Sequence, residues 1–429
     1  MGDFKTLSVP ELKELSSKLQ GKYDELKSKK LSLDMSRGKP CPEQLDLSMG
    51  ILDVVSSEDC LITEDGVDTR NYGVLDGLTE AKEFFSQVLE VSPKEIIISG
   101  NSSLTLMHDT IARAMLHGVL GSDDPWGKLP KVKFLCPSPG YDRHFAICEL
   151  LNIEMIIINM LNDGPDMEQV EKLVSEDDAI KGMWCVPKYS NPDGITYSDE
   201  VVDRIGKMTT KAKDFRIFWD DAYTLHHLTD QPDKLKNILE VCKAAGNPDR
   251  VFMFSSTSKI TFPGSGVAIM AASEDNLNFI RKQLAFQTIG PDKINQLRHI
   301  RFFKDMDNLK AHMSKHAAII KPKFDLLANT LEAELGETNI AWWHKPNGGY
   351  FMSLNTLDGC AKTVVNMAAK AGVTLTKAGA TYPYGNDPGD RNIRLAPTFP
   401  SLAELKNAIE IVCLCVKIVS IEKILAEKE

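Results

Sequence analysis

No block of this sequence is rich in lysine or arginine, and its 50 basic against 60 acidic residues leave a formal charge of −10. Nucleic acid or an anionic membrane surface would need a basic face, so neither is expected as a partner. The nine cysteines (41, 60, 136, 148, 185, 242, 360, 413 and 415) are odd in number, scattered and free of C-x-x-C pairs. That suits a reducing compartment better than a disulfide framework, and it predicts buried free thiols. No apolar run reaches the length of a membrane span. The charged start Met1-Gly2-Asp3-Phe4-Lys5 lacks the apolar core of a secretory signal, so a soluble, cytoplasmic protein is expected. Internal repeats, low-complexity tracts and Pro/Gly-rich linkers are also missing.

What is present is an ordinary globular composition, 43% hydrophobic over 429 residues, enough for a sizeable core and two domains. Leu12, Leu15, Leu19, Tyr23 and Leu26 recur at helical spacing and predict an amphipathic helix. Between Ile96 and Ala271 seven short apolar segments read as strands: Ile96 to Ile98, Val132 to Leu135, Met155 to Ile158, Gly182 to Val186, Ile217 to Trp219, Val251 to Phe254 and Val267 to Met270. Helical segments separate most of them, which predicts an α/β fold with a mostly parallel seven-stranded sheet. Beyond about residue 320 a helix (Lys321 to Leu335), short strands and a closing helix from Leu402 predict a smaller α+β unit. The expected division is 1–50 as an N-terminal helix and arm belonging to the smaller unit, 51–320 as the large domain, and 321–429 as the rest of the small one.

Polar clusters follow five of the predicted strands: Ser99 to Ser103, Pro139-Gly140-Tyr141, Ser190-Asn191-Pro192, Asp220 to Tyr223, and Ser256 to Lys259. In an open α/β sheet ligands sit outside the carboxyl ends of the strands, so these clusters point to one site. Lys259, in a Ser/Thr-rich turn before the loop Phe262-Pro263-Gly264-Ser265-Gly266, offers an amine for a Schiff base with an aldehyde cofactor. Asp220 offers a carboxylate to a pyridinium nitrogen. At an effective dielectric of about 20 and about 4 Å such a pair is worth about 4 kcal/mol, enough to keep the ring protonated at neutral pH. Asp221 competes for that role, but only Asp220 stands three residues before Tyr223. Asn101, Ser102 and Ser103 precede a predicted helix (Leu104 to Leu116), where free N–H groups favour a phosphate. Tyr141 can stack on an aromatic ring, and Asn191 can donate to a phenolic oxygen.

In order and spacing these clusters resemble the fold-type I pyridoxal-phosphate aminotransferases of the aspartate aminotransferase class, from about Ser36 to Arg394. The motifs around Asn191 and Lys259 are similar to a divergent subgroup that resembles the aminotransferase-like domains of certain bacterial regulators. The resemblance implies pyridoxal 5′-phosphate as cofactor, with Lys259 as Schiff-base lysine and general acid/base and Asp220 as partner of the ring nitrogen. It implies Tyr223 and Asn191 as donors to the phenolic oxygen and Tyr141 as the stacking ring. Asn101, Ser102, Ser103 and Ser256 match phosphate positions, and Tyr72 the tyrosine that reaches the phosphate of the partner subunit in a homodimer. Gly38 matches a substrate-contacting glycine, and Arg394 the arginine that grips the α-carboxylate. The implied substrates are aspartate or glutamate with 2-oxoglutarate or oxaloacetate; Arg143 is the candidate for the distal carboxylate and Arg37 the alternative. One departure stands out. Relatives carry a phosphate-holding arginine seven or eight residues after the lysine, where this sequence has Gly266 and Val267.

Three other readings compete. A lyase or decarboxylase on the same fold would use the same cofactor, and a non-catalytic module would bind it without turnover. Ser256-Thr257-Ser258-Lys259 also satisfies the S-x-x-K of serine acyl-enzymes, but the Tyr-x-Asn companion precedes it, the reverse of the usual order.

Overall fold

The computed structural model describes residues 2–429, so Met1 of the charged start lies outside it. A short β1 (Leu33–Asp34) comes first. The main sheet follows, with β2 (Ile96–Ile98), β3 (Lys133–Ser138), β4 (Glu154–Leu161), β5 (Gly164–Pro165), β6 (Ile180–Cys185), β7 (Arg216–Asp220), β8 (Val251–Ser256) and β9 (Ala268–Ala271). After them come β10 (Ala341–Trp343), β11 (Met352–Thr356), β12 (Val373–Thr374) and β13 (Asn392–Leu395).

The main sheet has the spatial order β2-β9-β8-β7-β6-β3-β4-β5. Pairings among β4, β3, β6, β7 and β8 are parallel, whereas β9 runs antiparallel to both β8 and β2. All seven predicted strands form. The eighth, β5, is a two-residue antiparallel edge too short to leave an alternating pattern in the sequence. Because β9 alone reverses within the central run, β2, β3, β6, β7 and β8 end at one edge, and the polar clusters that follow them meet there.

Side chains alternate across the sheet, as the two-residue period of a strand requires. Ile217 and Trp219 of β7 join the apolar cluster under helices Thr79–Leu89, Met167–Glu176, Asp199–Lys207 and Ile238–Ala244, whereas Phe218 faces helices Ser103–His117, Asp142–Leu150 and Glu274–Gln287. Both faces are therefore covered, which explains why the strands read as continuous apolar runs.

Helix Val9–Ser28 starts with a capping box between Ser8 and Glu11 and buries Leu12, Leu19 and Tyr23. These join a third apolar cluster made mostly of residues from Ile320 onward, including the closing helix Leu402–Lys428, and completed by Val186, Tyr189, Tyr223 and Leu228. Two small sheets accompany it, β10-β11-β13 and the parallel pair β1-β12. The long helix runs Met306–Leu335 and not from Lys321 as expected. Pro322 lies inside it, costing one intrahelical hydrogen bond, and the true start is capped by Asp305, whose carboxylate accepts from the Asn308 amide at 2.8 Å. Eight of the nine thiols are buried and Cys60 is exposed. No helix among the described residues is long and apolar enough to cross a membrane.

Candidate active site

A cavity of about 650 Å3 opens at the carboxyl ends of the parallel strands, between the main sheet and the β1-β12 pair. Gly38, Ser102, Ser103, Tyr141, Arg143, Asn191, Asp220, Tyr223, Ser256, Lys259 and Arg394 all line it. Eleven of the thirteen residues singled out from the sequence thus converge; the other two, Asn101 and Tyr72, do not line it. Asn101 is exposed and lines an adjoining cleft, its amide donating to the Pro263 carbonyl at 3.2 Å and its carbonyl accepting from Ser258 Oγ. Tyr72 is 81% exposed on this single chain.

Asp220 ends β7 and is buried. Its Oδ2 accepts from His144 Nε2 at 3.0 Å, and the His144 ring lies flat on Trp184, with centroids 4.1 Å apart and planes 3° apart. The other oxygen, Oδ1, is buried with no hydrogen-bond partner. An orphaned carboxylate oxygen is costly in a folded protein unless a donor arrives to meet it. Asp221, the competing acid, is also buried with an unpartnered oxygen, but its backbone N–H completes the β8 pairing through the Phe254 carbonyl and it does not line the cavity. Tyr141 crosses His144 edge-on at 4.9 Å, and burial pushes its hydroxyl up to about 12.

Lys259 follows β8 by three residues, with its Nζ 5.0 Å from the Tyr223 ring centre and 5.8 Å from that of Tyr350. Burial lowers its pKa from the usual 10.5, while the Asp220 charge pulls the other way. The amine is thus easier to deprotonate than a surface lysine yet stays within the field of the acid. Its carbonyl is pinned by His226 Nε2 at 3.4 Å and Tyr350 OH at 3.5 Å. Burial holds the Tyr223 hydroxyl well above its usual range. Ser256 Oγ donates to Ser258 Oγ at 3.0 Å instead of engaging Lys259, so the S-x-x-K arrangement is not that of an activated serine.

One end of the cavity is the start of helix Ser103–His117, with Ser102 as its N-cap and Ser256 and Ser258 across from it, a setting whose free N–H groups suit an anion. At Gly266 an added Cβ would come within 2.9 Å of Thr257 Oγ1 and 3.4 Å of the Asn101 carbonyl, so the loop packs tightly against the Asn101 turn. The arginine the fold brings to this loop is Arg298. Its Nη2 donates to Ser265 Oγ and its Nε to Asn295 Oδ1 at 2.7 Å, and it does not line the cavity.

At the opposite end Arg394, on β13, is buried over the Phe351 ring at 4.9 Å. Its Nη1 donates to Asp142 Oδ1 at 3.0 Å and Asn191 Oδ1 at 3.3 Å, and its Nε to Thr376 Oγ1 at 3.3 Å. Gly38 lies so close to Phe351 that an added Cβ would stand 2.4 Å from the ring. Arg37 and Arg143 are exposed at the mouth, with Lys377 beside them. The family model described as Aspartate amino-transferase matches residues 7–428.

The chain belongs to the aspartate amino-transferase family. A Mycolicibacterium smegmatis protein described only by the class name aminotransferase is 48% identical over 410 residues, covering 95% of this chain and 96% of that one. The aspartate aminotransferase of Corynebacterium glutamicum is 43% identical over 404 residues, 94% and 93% of the two chains. The crystal structure of an aspartate transaminase from the same organism superposes with a TM-score of 0.96 at 41% identity, covering 98% and 99%. The protein is an aminotransferase with the fold-type I architecture.

Sequence reading missed several groups in this aminotransferase site. His144 and Asp142 stand beside Tyr141 in the quoted run, but nothing in one dimension links His144 to Asp220, 76 positions away, or Asp142 to Arg394, 252 away. The buried His144 sits two residues from Asp142 at the first turn of helix Asp142–Leu150.

Proposed function

We propose that this aminotransferase moves the amino group of aspartate or glutamate to a 2-oxo acid, 2-oxoglutarate or oxaloacetate, with pyridoxal 5′-phosphate as its cofactor. The observation that carries the reading is the unpartnered, buried Asp220 Oδ1 in the same cavity as a lysine whose pKa burial has lowered. A donor such as a pyridinium N–H satisfies that oxygen, and the serines at a helix start suit a phosphate. When bound, the cofactor supplies an electrophilic aldehyde carbon and an electron-withdrawing pyridine ring.

The side chains do the rest. Asp220, fixed by His144, would keep a proton on the cofactor's ring nitrogen. Lys259 Nζ would take the proton from the substrate Cα and hold it for return, a task suited to an amine poised nearer neutrality. Tyr223 and Asn191 would donate to the phenolic oxygen, Tyr141 would stack on the ring, and Ser102, Ser103 and Ser256 would hold the phosphate, with Asn101 shaping the turn. Arg394 takes the α-carboxylate beside Gly38, and Arg143, or else Arg37, the distal one. Support for dicarboxylic substrates comes from the C. glutamicum relative's name and from the cations at the mouth.

Three further elements belong to the proposal. Exposed Tyr72 reaches the site of a second copy, making a homodimer. The large domain is 51–320, with 1–50 and 321–429 forming the small one, as their shared apolar cluster favours. The enzyme works in the cytoplasm. An amino-donor screen against 2-oxoglutarate and oxaloacetate, with Lys259→Ala alongside, tests the reading. Aspartate or glutamate should lead the screen, and the alanine variant should lose both turnover and the cofactor's visible absorption. Retained turnover in that variant, or carbon dioxide or ammonia release without amino transfer, overturns it.

A further inference from the structure

A guanidinium has five N–H donors, and three of those on Arg394 are already spent: two on Nη1, to Asp142 and Asn191, and one on Nε, to Thr376. Only Nη2 keeps its hydrogens free. A carboxylate gripped end-on by both terminal nitrogens therefore needs Nη1 released. Of the two groups on Nη1, Asn191 is a neutral amide on a buried turn, while Asp142 is an anion at the first position of its helix with its side chain one-third exposed to the cavity.

We infer that Asp142 is an internal competitor of the substrate α-carboxylate, an affinity-setting residue that occupies Arg394 until substrate displaces it. The inference rests on the transamination reading only in naming the incoming carboxylate. Three observations support it. The ion pair joins the main-sheet side of the cavity to β13, so Arg394 is held in binding position before any ligand arrives. The Arg394 side chain is only 7% exposed, so water is a poor substitute counter-ion and a carboxylate a good one. Asp142 itself is accessible enough to turn toward solvent, or toward exposed Arg143 next in sequence, once displaced. Holding a charged ligand site with a built-in anion weakens binding and speeds release, which suits an enzyme that must exchange two acids in each cycle.

The test is binding of maleate, a non-reacting dicarboxylate, to the holoenzyme, followed through the cofactor's visible spectrum, together with steady-state kinetics. Asp142→Asn keeps an oxygen for Nη1 and removes the charge; Asp142→Ala removes both. Both variants should bind maleate about three- to tenfold more tightly, lower KM for amino donor and oxo acceptor, and move kcat less than KM. Unchanged or weaker maleate binding in an Asn variant with the wild-type unfolding midpoint overturns the inference, because Asp142 would then only orient Arg394. A wild type that binds maleate but transfers no amino group defeats the transamination reading and leaves this one to be judged on the maleate affinities alone.

Discussion

Asp220 shows how much one buried oxygen determines. His144 satisfies one side of its carboxylate, and the other faces the cavity with nothing to accept from. Removing the acid as Asp220→Ala forfeits an interaction of about 4 kcal/mol at about 4 Å and an effective dielectric of about 20. In kcat that corresponds to roughly a thousandfold loss. Because the Asp220 charge raises the Lys259 pKa against burial, the same variant should lower that pKa further, moving the acidic limb of the pH–rate profile, where the base loses its proton, to lower pH. Steady-state kinetics across pH measure both effects, and a loss under tenfold would mean that the ring nitrogen does not rely on this acid. Asp220 was legible in the sequence as a strand-terminal carboxylate. His144 was not, since it stands on a helix, its partner ends a strand 76 positions away, and only the packing of that helix on the sheet brings them together.

At the level of elements, the two-residue pair β1-β12 sets the geometry of the carboxylate end. Pairing Leu33 with Val373 and Asp34 with Thr374 aligns the Ser36 to Lys39 turn with Thr376, whose hydroxyl donates to the Ser36 carbonyl at 2.7 Å. Gly38 then rests against Phe351, and Phe351 carries Arg394. Gly38→Ala has to displace an aromatic ring packed on both sides, so Arg394 shifts with it. A misplacement of about 1 Å can cost on the order of 100-fold in rate. The expected result is a rise in KM of about tenfold or more at an almost unchanged unfolding temperature; a wild-type KM would show that Phe351 yields without moving Arg394. Neither short strand was predicted, because two residues carry no periodicity. The 30-residue helix Met306–Leu335 was half missed for another reason. Pro322 resembles a start signal, and only packing of the whole length on its neighbours shows that the helix continues through it.

For the whole molecule, buried titratable groups give stability a pH dependence with a definite sign. Burial lowers His299 and His316 to about 4, likewise His227, and His226 well below its usual value. Groups whose folded pKa is depressed contribute stability fully above their unfolded value of 6.5 and lose it as pH falls toward about 4. Asp193 and Asp221, raised by burial to about 6, act in the opposite sense, losing their contribution as pH rises from 4 to 6. Four histidines outweigh two acids, so the urea midpoint should fall between pH 6.5 and 4.5. A flat or rising midpoint across that window contradicts the assignment. By itself the sequence determined the seven main strands, the standing of Lys259 and Asp220 at the strand ends that meet in one cavity, and the family, because apolar runs and strand-end polar residues are local signals. Tertiary structure alone decided that Asp142 holds Arg394, that Asn101 lines an adjoining cleft, and which basic residue meets the Gly266 loop. Those facts depend on distances between residues far apart in the chain, and distances exist only once the sheet has closed its edges and the two apolar clusters have fixed the helices against it.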